Sequence, residues 1–93
     1  MPVAIPERDK DPQAVLDYVI DWTAWLQVGE TIVASVVAVP LGITLNSQPN
    51  TATTVTAWLS GGTVGRSYIV TSHITTNLGR QDDRSIRVNV VER

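Results

Sequence analysis

Cysteine and phenylalanine are missing from this 93-residue chain, and histidine, methionine and lysine occur once each. Without cysteine there is no disulfide, no thiolate nucleophile and no sulfur-ligated zinc. A single histidine, His73, leaves little room for imidazole catalysis and none for a multi-histidine metal site. Seven basic against nine acidic residues give a net charge of −2, so there is no basic footprint for nucleic acid. The most apolar run, Thr31 to Val39, has nine residues, about half of the ~20 that a membrane helix needs. The first eleven residues, with Pro2, Pro6 and a charged run from Glu7, lack the apolar core of a secretory signal. These absences predict no cofactor, no metal, no nucleic-acid partner and no membrane partner. They favour binding or structure over catalysis.

What is plentiful is β-branched. Valine, isoleucine and threonine supply 32 residues, against seven alanines and six leucines. Such side chains are stiff at χ1 and suit a pleated surface better than a helix, which predicts an all-β protein. The length allows one domain, and a chain of this size buries roughly 60–65% of its unfolded surface.

Residues 1–14 carry three of the five prolines and the charged run Glu7–Asp11. Proline lacks an N–H and restrains its predecessor, so this segment reads as an extended arm outside a 15–93 domain. It is either a frayed end or an arm that orders against a neighbouring subunit. Residues 15–26 fit two patterns. As a helix, Asp11 caps, Pro12 opens the first turn, and Val15, Val19, Trp22 and Leu26 share a face. As a strand over 16–22, Leu16, Tyr18, Ile20 and Trp22 alternate with Asp17, Val19 and Asp21, and an irregular turn follows through Trp25 and Leu26. The strand accounts for both carboxylates and is favoured.

Beyond Gly29 the signals are β throughout. Strands are expected at Thr31–Val39, Ile43–Asn46, Thr53–Ser60, Ser67–Thr76 and around Ile86–Val90, with a polar loop over Asn77–Arg84. Their spacing, near ten residues, predicts an antiparallel β-sandwich of six or seven strands with an N-terminal arm. Between two of these strands, Gly61-Gly62-Thr63-Val64-Gly65 leads into Tyr68. Immunoglobulin-like sandwiches place a tyrosine at such a corner, its hydroxyl bonded to backbone a few residues upstream. Gly65 and Tyr68 are the expected corner residues.

Catalytic constellations are hard to assemble. His73 lies mid-strand on the face opposite Tyr68, among Ile69, Thr71 and Thr75, and reads as a solvated sheet residue. Asp82 and Asp83 are adjacent, and Arg80 and Arg84 on either side are expected to neutralise them. Glycosidase chemistry instead needs two carboxyls about 5–10 Å apart across a cleft. The glycine-rich stretch has no lysine and no following helix to make a phosphate cradle, and no acidic loop has calcium-site spacing. Surface recognition remains. Trp58 is in phase with Thr54, Thr56 and Ser60, so it is either packed beneath the arm or residues 22–28, or presented to a partner.

Three blocks carry a resemblance over residues 10–91. They are Leu16-Asp17-Tyr18 through Asp21-Trp22-Thr23-Ala24-Trp25-Leu26 with Gly29-Glu30-Thr31-Ile32; Trp58-Leu59-Ser60-Gly61-Gly62-Thr63 with Gly65 and Tyr68; and Ile74-Thr75-Thr76, Gly79-Arg80 and Arg84-Ser85. In this order they resemble small virion proteins of the fibre–tail adaptor-like family of tailed phages. One departure is Val36-Val37, where such proteins often carry another tryptophan. The resemblance implies an immunoglobulin-like fold and a non-enzymatic virion component made in the host cytoplasm. It implies several copies per particle and tail, neck, fibre or capsid proteins as partners. A fibre-to-tail adaptor is the first reading, a capsid decoration protein the second, and a carbohydrate or host-surface binding module the third. It supplies no catalytic residues. The expected contact residues are Trp58, the arm with Pro6, Asp9 and Pro12, and Gly79, Arg80, Asp82, Asp83 and Arg84 in the 77–84 loop.

Overall fold

The structure is a computed structural model and describes residues 6–92. Its strands are β1 Glu7–Lys10, β2 Leu16–Asp21, β3 Ile32–Ala38, β4 Ile43–Ser47, β5 Thr54–Gly61, β6 Ser67–Thr76 and β7 Gln81–Val90. They form two sheets, one in the order β1-β7-β6-β3 and the other in the order β2-β5-β4. Alternation sorts each strand's side chains between interior and solvent. In β6, Tyr68, Val70, Ser72 and Ile74 are buried while Ile69, Thr71 and His73 face outward. In β5, Val55, Ala57 and Leu59 are buried and Trp58 is exposed. The inward rows of both sheets join in one cluster that includes Ile20, Trp22, Val55, Leu59, Val70, Ile74, Val88 and Val90. Each aliphatic side chain fully buried there contributes roughly 1.5–3 kcal/mol of transfer free energy, which makes this cluster the chief source of stability.

The favoured reading of residues 15–26 holds: β2 runs to Asp21, and one turn follows, with the Trp25 and Leu26 N–H groups donating to the Trp22 carbonyl. Two expectations need correction. The loop expected over residues 77–84 is only 77–80. The Arg80 carbonyl accepts the Thr76 N–H at 2.9 Å, which closes the turn early, and β7 begins at Gln81. The polar residues 81–84 fit a strand because that end of β7 is exposed or capped by other side chains. The second correction concerns the arm. Residues 1–5 lie outside the described residues, but Glu7–Lys10 is a strand of the first sheet, pairing parallel with Arg87–Val90. The fold is therefore not wholly antiparallel. A short charged segment found pairing at a sheet edge, where solvent accepts the side chains of Glu7, Arg8 and Asp9.

Two devices hold β1. The Lys10 side chain is fully buried, and its Nζ donates to the carbonyls of Asp11 and of Gly61, the last residue of β5. Burial lowers its pKa from the usual 10.5, partly opposed by Asp11. The Tyr18 hydroxyl, from β2, donates to the Asp9 carbonyl. The first sheet's other edge is β3, whose exposed Val33 and Val36 would invite pairing with a second chain. The β4–β5 connection covers part of it: Gln48 Oε1 accepts the Val37 N–H at 2.6 Å, and the Ala52 carbonyl accepts the Ile32 N–H.

At the β5–β6 corner the Tyr68 hydroxyl accepts the Thr63 N–H at 3.0 Å. The bond reaches backbone five residues upstream, with the tyrosine oxygen as acceptor rather than as donor to a carbonyl. It also holds the phenol pKa below the usual 10. Gly65, at φ +87°, donates its N–H to the Val90 carbonyl. Gly62 is restricted twice over, by a φ of +98° and by Val90 Cγ2 lying 2.6 Å from where a Cβ would stand.

Candidate functional site

The side chains that sequence reasoning grouped as one contact region fall in three places. Pro6, Asp9 and Pro12 lie along β1 and the turn after it. The Pro6 carbonyl accepts the Arg87 N–H, and Asp11 caps the turn through its carboxylate and the Gln13 N–H. Trp58 stands on the outer face of the second sheet. Gly79, Arg80, Asp82, Asp83 and Arg84 occupy the β6–β7 hairpin at one end of the molecule.

The hairpin is fastened to the β2–β3 connection. Glu30 is buried at the end of that connection, and its carboxylate accepts from four donors: Arg80 Nε at 2.8 Å, Arg80 Nη2, the Gln27 N–H at 2.9 Å and the Thr76 hydroxyl at 2.6 Å. The Arg80 hydrogen bonds are the largest reason that its pKa falls to about 2; burial opposes them, and Gln27 and Thr76 assist. A bidentate guanidinium–carboxylate pair inside a ring of further donors fixes both chains' geometry. Asn77 adds to it, its Oδ1 accepting the Thr31 N–H and its Nδ2 donating to the Gly29 carbonyl. Gly79 sits in the turn at φ +82°, its N–H donating to the Thr76 carbonyl.

Aromatic rings continue the same fastening. The Arg80 guanidinium lies 4.0 Å from the Trp25 ring centre and that of Arg84 lies 4.4 Å from the Trp22 ring centre. The two rings meet edge to face at 5.4 Å and 72°. Arg84 also donates to the Asp21 carbonyl. Among the described residues neither arginine forms an ion pair with Asp82 or Asp83, a correction to the sequence expectation: Arg80 pairs with Glu30, and Asp82 only adds to the charges that raise its pKa. Asp82 accepts the N–H of Asp83, and Asp83 accepts from His73 Nδ1 across the sheet at 2.5 Å. His73 Nε2 faces Gln81 Oε1 at 3.0 Å, and these bonds, Asp83's first, raise its pKa above 6.5. Glu30, Trp22 and Trp25 were not singled out as contact residues. The available signal was a lone acid in Gly29-Glu30-Thr31, directly before an apolar strand, with arginines to match it only far along the chain.

Trp58 lies in the middle strand of its sheet, directly across from Asp17 of β2 and Ser47 of β4, and keeps 37% of its surface exposed. Among the described residues no group of three or more His, Asp or Glu side chains is arranged to hold a metal ion, and no helix is long and apolar enough to cross a membrane.

These features define a small all-β protein whose arginines and tryptophans tie one end together while another tryptophan is left facing outward. The sequence profile of the podophage GP4 fiber-tail adaptor protein gp77 matches residues 10–89, and the chain belongs to that family. This is the family its residue blocks resemble. No curated protein matches the chain.

Proposed function

We propose that this chain is a non-enzymatic structural component of a tailed-phage virion, joining fibre to tail by binding other virion proteins in several copies per particle. Synthesis in the host cytoplasm and incorporation into the particle follow from that role. The family match across residues 10–89 carries this reading. Two sheets around one core and a tyrosine bonded at the β5–β6 corner support assigning the domain to the immunoglobulin-like sandwiches. The contact regions in this reading are the Trp58 face, β1 with Pro6, Asp9 and Pro12, and the hairpin with Gly79, Asp82 and Asp83. Arg80 and Arg84 serve the hairpin from within, holding it rigid, while Val28 and Leu78 stay exposed on the two loops they join. A standard interface buries ~800 Å² per partner, roughly a seventh of the 5557 Å² surface here. Binding of this extent stabilises so small a domain substantially.

Reconstitution tests the reading. Purified protein is added to particles assembled without it, and fibre attachment is scored by electron microscopy. Restored fibres, with the protein located between tail and fibre, are the expected result. Density for the protein on the head lattice alone, or no binding to particles at all, overturns the proposal.

A further inference from the structure

The three tryptophans occupy related chemical settings, and one setting is incomplete. Trp25 is covered by the Arg80 guanidinium, which the Glu30 carboxylate holds in place. Trp22 is covered by Arg84. Among the described residues no cation lies over the Trp58 ring, although its partner across the ladder is the carboxylate residue Asp17. Both residues are exposed on the outer face. Side chains directly opposite on antiparallel strands have Cβ atoms about 4.5–5.5 Å apart, so a carboxylate at Asp17 reaches the rim of a group lying on the indole.

The charge around the pair has one sign. Strands β2, β5 and β4 contain no lysine, arginine or histidine, while β2 contributes Asp17 and Asp21. Asp21 is engaged by the hydroxyl and N–H of Thr23, which lower its pKa. Asp17 has no hydrogen-bond or ion-pair partner among the described residues. Diagonal to Trp58 on the same face is Val19, 55% exposed, which offers an apolar rest for the stem of a long side chain.

We infer that Trp58 and Asp17 together receive a basic side chain, arginine before lysine, presented by a partner protein of the virion. A guanidinium is flat, weakly hydrated and able to stack on an indole while donating to a carboxylate, whereas an ammonium is a compact, strongly hydrated point charge. The inference rests on the proposed adaptor role, because it names the chemistry of the partner at the Trp58 face.

The test uses the full chain, fluorescently labelled, binding to particles assembled without it. Asp17→Asn, which keeps size and removes charge, and Trp58→Leu should each weaken binding at least tenfold. Trp58→Phe should stay within a few-fold of wild type, and the Asp17→Asn/Trp58→Leu double variant should be little worse than either single one. Blocking the particles' arginines with a dicarbonyl reagent before mixing should abolish binding, and acetylating their lysines should not. If Trp58→Leu fails to fold, Asp17→Asn decides, since it alters only an exposed charge. Wild-type affinity in Asp17→Asn overturns the inference and leaves the adaptor role standing, as does binding abolished by oxidising particle sugars but not by blocking arginine. A wild-type chain that does not bind the particles overturns the adaptor role itself.

Discussion

Replacing each of two tryptophans by alanine separates their roles by stability alone. Trp22 is fully buried, touches Trp25 edge to face and lies beneath Arg84. Truncating a buried tryptophan costs about 3–5 kcal/mol through lost transfer energy and the cavity left behind. The upper half of that range applies, because the aromatic pair and the cation stack disappear with the ring. One term opposes it: the Trp22 indole N–H is buried without an acceptor among the described residues, and its removal relieves a desolvation penalty. A net loss of about 4 kcal/mol is large against the ~5–14 kcal/mol expected for 93 residues. It lowers the melting temperature by roughly 15–30 °C. Trp58 is 37% exposed on a strand surface, and its replacement costs about 1 kcal/mol or less. Urea titration followed by far-UV circular dichroism measures both. Equal losses, or a larger loss for Trp58→Ala, refute the assignment of Trp22 to the core and Trp58 to the outer face.

Two further outcomes follow from titrating groups. Glu30, with a folded pKa of about 2 against 4.5, stabilises the fold fully above the unfolded value, and that contribution is lost as pH falls towards 2. Arg80→Met removes the main cause, so its acid-unfolding midpoint should move to higher pH than wild type; an unchanged midpoint counts against the clasp. His73 is displaced the other way: its raised pKa gives a contribution present below pH 6.5 and lost as pH rises through the folded value. Proton NMR of its ring should show a midpoint above 6.5 that falls in Asp83→Asn, and a midpoint unmoved by that substitution refutes the pairing.

Alternation made most strands legible, because buried and exposed rows differ in type at Val55-Thr56-Ala57 and Ile86-Arg87-Val88 alike. The outward phase of Trp58 could be read for the same reason. Two things resisted reading. Gln81 to Arg84 look like loop because their side chains are polar, yet three of the four have a strand-compatible use: Gln81 and Asp83 flank His73, and Arg84 covers Trp22. Likewise Glu7–Lys10 is too charged to advertise a strand, and parallel pairing with a segment 80 residues away leaves no local signature. The Glu30–Arg80 pair is separated by 50 residues, and local spacing carries no information about such contacts.

The chain has one lysine, and its amine is sealed between two backbone carbonyls where β1 meets the end of β5. Lysine-directed cross-linkers, commonly used to map neighbours within a particle, therefore find no side-chain target on the folded subunit. A label appearing at Lys10 would mark a subunit whose first strand had peeled away, so the residue serves as a built-in gauge of edge opening.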